Sequence, residues 1–118
     1  MSKSVRSRWV ALVGALAHER RAAHTAGFPL DPEKMLPVAD VVLVVADGDG
    51  SAMLFRYTAH DDFGGDTWHP TLAAAKEQAA YEYGEALLAW IDVPDEVTDA
   101  HAFAVRYAYE NLDKRGDW

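Results

Sequence analysis

Residues 38–60, VADVVLVVADGDGSAMLFRYTAH, contain two apolar segments separated by a short run of Asp and Gly. The first segment, residues 38–46, is β-branched and interrupted only by Asp40, which is typical of a strand covered on both faces. Residues 47–50 tolerate the backbone dihedrals of a tight turn. The second segment, residues 51–59, alternates between two sets of side chains, Met53, Phe55 and Tyr57 against Leu54, Arg56 and Thr58. Together the segments predict a β-hairpin whose second strand has one amphipathic face.

The chain after the hairpin predicts two short strands and two helices. Residues 60–66 are rich in Asp and Gly and predict a loop, and residues 67–69 predict a short strand. Thr71 is typical of a helix N-cap, and this helix ends at Gly84 or continues toward residue 89. Its inward stripe consists of Leu72, Ala75, Ala79 and Tyr83. Residues 90–93 predict a last strand, and a final helix starts after Thr98 or Asp99 and ends before Gly116.

The N-terminal segment predicts a helix over residues 4–26, ending at Gly27. Its apolar residues follow helical spacing, at Val5, Trp9, Leu12, Val13 and Leu16. The alternative is a secretory signal peptide cleaved near Ala17, because basic residues precede the apolar stretch 9–17. That stretch is too short to cross a bilayer, so we expect no membrane partner.

These elements follow the order α-β-β-β-α-β-α. The order predicts an α+β fold with a small, mostly antiparallel sheet and helices packed on one face. The 118 residues fit a single domain, 1–118, large enough for a core without disulfide or metal staples. An exposed edge of such a sheet would also permit a homodimer.

Charge and cysteine content exclude several functions. The net charge is −8, which argues against a nucleic-acid partner. Residues 1–24 carry five basic residues and one acidic residue, whereas the other 94 carry six basic and eighteen acidic residues. The chain has no cysteine, which excludes thiol catalysis and disulfides and is compatible with the cytoplasm.

Histidines and carboxylates are concentrated in residues 60–69. The four candidate metal ligands are His60, Asp62, Asp66 and His69, with His101 as a conceivable addition. Their spacing matches no established metal signature, and solvated loop carboxylates are the simpler interpretation. The chain also lacks a nucleophile elbow and a phosphate-binding glycine loop, so we predict no catalytic residue and no cofactor.

The segments GDTWH (65–69), AKEQA (75–79) and YEYG (81–84) stand in a fixed order between VADVV (38–42) and W-x-x-VP (90–94). This pattern covers about half of the chain, and it resembles an uncharacterised family of small bacterial proteins. The resemblance implies no activity, so no catalytic residue is carried over from it.

The same region contains the polar and aromatic residues of a candidate binding groove, Asp66, Trp68, His69, Lys76, Gln78 and Glu82. We expect Trp68 to fill the space between sheet and helix, with His69 on the opposite face. The sequence favours an acidic, non-catalytic module that binds a basic protein, as inhibitors and immunity proteins do. Two alternatives remain open, namely a metal-binding protein or metal-dependent hydrolase, and a small-molecule sensor with a pocket beneath Trp68 and Trp90.

Overall fold

The computed structural model describes residues 7–14 and 38–111, which form a five-stranded sheet with two helices packed on it. The strands are β1 (Ser7–Leu12), β2 (Val41–Ala46), β3 (Ala52–Tyr57), β4 (Phe63–His69) and β5 (Ile91–Asp92). The helices are α1 (Leu72–Tyr83), which continues into a 3-10 turn (Gly84–Ala86), and α2 (Ala100–Glu110). The strand order is β4-β3-β2-β1-β5, and all neighbours are antiparallel. The predicted α+β class and antiparallel sheet are confirmed.

The predicted hairpin is confirmed as β2 and β3, which pair along their full length. The amide of Asp47 donates to the carbonyl of Ser51 at 2.8 Å and closes the turn. Gly50 has a φ of +96°, a conformation that an L side chain rarely adopts. The Asp-Gly run therefore sets the register of the two central strands.

The prediction of a helix at residues 7–12 is wrong, because these residues form β1 between β2 and β5. Four successive residues, Val10, Ala11, Leu12 and Val13, are at most 5% exposed. A surface helix would expose some of them, whereas a central strand buries both of its faces. A short apolar run is compatible with the residue spacing of a helix and with that of a buried strand, so spacing alone could not distinguish the two structures. Residues 4–6 and 15–26 of the predicted helix, its end at Gly27 and the cleavage site near Ala17 lie outside the described residues.

The two described helices lie on opposite faces of the sheet, which corrects the prediction that helices pack on one face. On one face Val42 and Val44 of β2 share a core with α1. On the other face Val41 and Leu43 share a core with α2. Because β2 is apolar on both sides, one layer of helices could not bury it. Among the described residues, the order of elements starts with strand β1 and not with the predicted helix.

Buried Asp40 explains the single polar residue in the apolar run before β2. Its carboxylate accepts a hydrogen bond from the amide of Ala59 at 2.7 Å. Its own amide donates to the carbonyl of Tyr57, and its carbonyl accepts from the amide of Val13. One buried residue thus connects the chain at the ends of β1, β2 and β3.

Strand β4 is longer than predicted and starts within the expected loop. Asp66 lies opposite Phe55, whereas Phe63 lies opposite Tyr57, so β4 has one more residue than β3 between these pairs. The extra residue is a β-bulge at the Gly64-Gly65 pair, where Gly65 has a φ of +103°. The bulge brings Phe63 and Asp66 to the same face although they are three residues apart.

Both predicted helix starts after β4 are confirmed. The side chain of Thr71 accepts from the amide of Ala74 at 3.0 Å, and that of Asp99 accepts from the amide of Ala102 at 3.0 Å. Helix α1 ends at Gly84, which has a φ of +54°. The predicted end of the last helix, before residue 116, lies outside the described residues.

The alternation of β3 gives a stability test with a neighbouring control. Leu54 is fully buried, so Leu54→Ala should lower the free energy of unfolding by about 3 kcal/mol. Met53 points to the other face and is only partly buried, so Met53→Ala should cost at most about 1 kcal/mol. Urea denaturation measures both values. Equal losses would show that the assigned alternation is wrong.

Candidate interaction surface around strand β4

Strand β4 forms one edge of the sheet, and its two faces differ in chemistry. Thr67 and His69 lie opposite Leu54 and Ala52, which are part of the core beneath α1. Asp66 and Trp68 lie opposite Phe55 and Met53, on the side of the sheet that carries α2. The predicted alternation of Trp68 and His69 is therefore confirmed.

On the α1 side, the buried guanidinium of Arg56 organises a polar network. Its Nε and NH2 groups donate to the two carboxylate oxygens of Glu82, at 2.7 and 2.6 Å. NH2 also donates to the hydroxyl of Thr67 at 3.2 Å. Gln78 donates to Glu82 at 2.8 Å, and Thr67 lies 2.7 Å from Nε2 of His69. The network connects β3, β4 and α1.

The ion pair keeps both partners charged. Burial alone would lower the pKa of Arg56, but the bonds to Glu82 outweigh it and raise the pKa. Burial alone would raise the pKa of Glu82, but the bonds from Arg56 and Gln78 hold it below its ordinary value of 4.5. Burial and the nearby Glu82 carboxylate raise the pKa of Tyr83 to about 12. These side chains anchor α1 to the sheet.

Sequence reasoning missed Arg56, which it assigned to an amphipathic strand face. A signal was present, because Arg56 alternates in phase with Leu54 and therefore points toward the same core. An inward arginine needs a carboxylate partner, and Glu82 is one on the adjacent helix.

On the α2 side, β4 and the adjoining part of β3 form a surface that the helix covers only at one end. Helix α2 packs on β1, on β2 and on Tyr57 of β3, whereas Trp68 is 61% exposed and Phe63 is 52% exposed. The prediction that Trp68 fills the space beneath the helix is wrong, because α1 covers the opposite face. We call this surface the β4 face and define it as Met53, Phe55, Phe63, Asp66 and Trp68.

Carboxylates surround one end of the β4 face. Tyr57 stacks on the His101 ring at 4.2 Å between centroids, and His101 Nε2 lies 2.6 Å from Asp61 Oδ1. Burial raises the pKa of Tyr57, and the charges of Asp66, Asp61 and Asp99 raise it further. Three carboxylates therefore lie near this end of the β4 face, and that of Asp61 is paired with His101.

Lys76, one of the six residues of the predicted groove, lies apart from the other five. Its ammonium group sits 4.5 Å from the ring centroid of Trp9 and 5.4 Å from that of Trp90. Two cation–π contacts thus hold the ammonium group between these tryptophans. The predicted groove is in fact two separate surfaces on either side of β4, without Lys76.

The structure does not bring the predicted metal ligands together. Asp66 and His69 lie on opposite faces of β4, and Asp62 accepts a hydrogen bond from Thr58. The His60 ring meets Tyr109 edge-on at 6.3 Å. Within residues 7–14 and 38–111, no three His, Asp or Glu side chains are grouped so that they could hold a metal ion.

The pocket proposed beneath Trp68 and Trp90 is not formed, because Trp90 packs on the α1 core and Trp68 faces the other side. A small cleft of about 180 Å³ lies instead at the opposite edge of the sheet. It is lined by Arg8, Trp9, Asp92, Val93 and Asp95.

Neither helix α1 nor α2 is long and apolar enough to span a membrane.

The anchoring role of Glu82 predicts a pH-dependent loss of stability. Glu82→Gln leaves the buried Arg56 without a counter-charge and should lower the free energy of unfolding by about 2 kcal/mol at neutral pH. Because the fold lowers the pKa of Glu82, the stabilising charge is present above the ordinary value of 4.5. It is lost as the pH falls through the lowered folded-state pKa, so the difference between wild type and variant should shrink there.

Denaturation at several pH values measures this difference, with Glu85→Gln as the control. Glu85 is an exposed carboxylate three residues away, and its substitution should change stability by less than about 0.5 kcal/mol. A similar loss in both variants would contradict the assigned role of Glu82.

Comparisons with models of known protein families, with curated proteins and with solved structures find no match to this chain. The resemblance described above, based on GDTWH, AKEQA and YEYG, therefore stays a prediction. The function of the surfaces around β4 must be inferred from their own chemistry.

Proposed function

We propose that this chain is a small, non-catalytic binding module whose β4 face docks a basic segment of another protein. The observation that carries the proposal is the exposure of Trp68 and Phe63 on either side of Asp66, on the edge strand β4 beyond the reach of α2. Clustered exposed aromatic side chains are typical of binding surfaces. An inhibitor or an immunity protein would use such a surface.

Electrostatics supports a basic partner. The carboxylates Asp61, Asp66 and Asp99 act together on Tyr57 at one end of the β4 face. The chain as a whole has a net charge of −8. Such a field steers a cationic protein toward the surface and repels nucleic acid.

The arrangement gives less support to the two alternatives. A metal-dependent reaction would need His60, Asp62, Asp66 and His69 to converge, and two of them face opposite sides of the sheet. A sensor pocket beneath Trp68 and Trp90 meets the same difficulty. We place the interaction in the cytoplasm, which is compatible with a chain that has no cysteine.

The proposal predicts that capture of a partner depends on Trp68. Wild type, Trp68→Ala and Tyr81→Ala are immobilised and exposed to a lysate of the source cell at about 0.15 M salt. Tyr81 is the matched control, because it is 82% exposed and belongs to α1. We expect wild type and Tyr81→Ala to retain the same basic protein in near-stoichiometric amount, and Trp68→Ala to retain about tenfold less.

Thermal unfolding shows whether all three proteins are folded. The proposal is overturned if the three retain equal amounts of the protein, if the retained protein is acidic, or if nothing is retained in stoichiometric amount.

A further inference from the structure

We propose that the partner binds by strand addition, as an extended segment that pairs with the outer edge of β4 and places a Lys or Arg opposite Asp66. This inference rests on the proposed function and specifies its mode of recognition. Strand β4 is the last strand of the sheet on its side, and no strand in the described part of the chain pairs with its outer edge. The outer edge of such a strand presents unpaired N–H and C=O groups.

The section of β4 after the bulge is regular enough to serve as a template. Residues 66–69 pair one-for-one with residues 52–55 of β3, without a register shift. In an antiparallel pair, alternate residues direct their amide and carbonyl groups away from the partner strand. These groups supply the backbone bonds that an added strand would complete.

The side chains on the two faces of β4 determine which residue types an added strand should carry at alternate positions. On one side it would meet Asp66 and Trp68, and on the other Thr67 and His69. The polar side continues into Gln78 and Glu82 of α1 through the Arg56 network. The segment is therefore expected to alternate polar residues with basic and aliphatic ones.

The bulge explains why the residue of the added strand opposite Asp66 should be a Lys or Arg. Because of the Gly64-Gly65 bulge, Phe63 lies on the same face as Asp66 and Trp68. A Lys or Arg opposite Asp66 would place its charge beside the carboxylate and its apolar stem beside aromatic rings. The site thus selects a long cationic side chain.

The same geometry disfavours a second copy of the chain as the occupant. Antiparallel pairing of two copies over the whole of Phe63–His69 would place Asp66 directly opposite the other Asp66. Like charges at directly opposed positions destabilise a sheet, and each chain carries a net charge of −8. A basic strand from another protein would place no second Asp66 opposite the first and would carry no repelling negative charge.

The test uses the full chain and a synthetic peptide as long as β4, acetyl-Thr-Val-Thr-Lys-Thr-Val-Thr-amide, monitored by NMR. We expect the peptide to shift the amide signals of residues 66–69 and to slow their hydrogen exchange. One control peptide carries Glu in place of Lys, and the other is methylated on every backbone nitrogen. Both control peptides should bind the wild-type protein at least about tenfold more weakly than the Lys peptide does. The Lys peptide should likewise bind the protein variant Asp66→Asn at least about tenfold more weakly than it binds the wild type.

Three results would overturn strand addition: no binding of the Lys peptide at millimolar concentration, binding that survives backbone methylation, or amide shifts confined to other strands. A wild-type dimer in sedimentation that Trp68→Ala dissociates would also overturn it in favour of self-pairing. A partner captured through Trp68, combined with any failure of the peptide test, would leave the proposed function standing without its strand-addition mode. Loss of Trp68-dependent capture would remove the proposed function itself.

Discussion

The burial of β2 on both faces is the constraint on which the rest of the structure depends. Val41, Val42, Leu43 and Val44 are all at most 2% exposed, so the sheet needs a layer on each side. Helix α1 packs on β2, β3 and β4 on one side, whereas α2 packs on β1, on β2 and on the Tyr57 end of β3 on the other. The two layers are offset, and the offset leaves the β4 face open.

The Arg56–Glu82 ion pair holds α1 in its position on the sheet. Its bidentate bonds connect α1 to β3, and the bond from Arg56 to Thr67 extends the connection to β4. An edge strand held from one side by a charged network stays in register while its other face and its outer edge remain accessible.

Local signals in the sequence were sufficient for the hairpin, the helix caps at Thr71 and Asp99, and the α+β class. They were insufficient for β1, because an apolar run from residue 9 to 13 suits a helix and a buried strand equally. Alternation correctly separated Trp68 from His69, but it could not tell which face α1 would cover. That choice depends on contacts between distant segments, and so do the Arg56–Glu82 pair and the position of Lys76 between two tryptophans.

Among the described strands β4 lies at the edge of the sheet, and amide hydrogen exchange of the unbound chain measures whether its outer edge is open. Amides of β2 should be strongly protected, because β2 has a strand on each side. In residues 66–69, protection should alternate, with the amides bonded to β3 protected and those at the outer edge exchanging orders of magnitude faster. Uniform protection of residues 66–69 at the level of β2 would show that the outer edge of β4 is already covered and cannot receive an added strand.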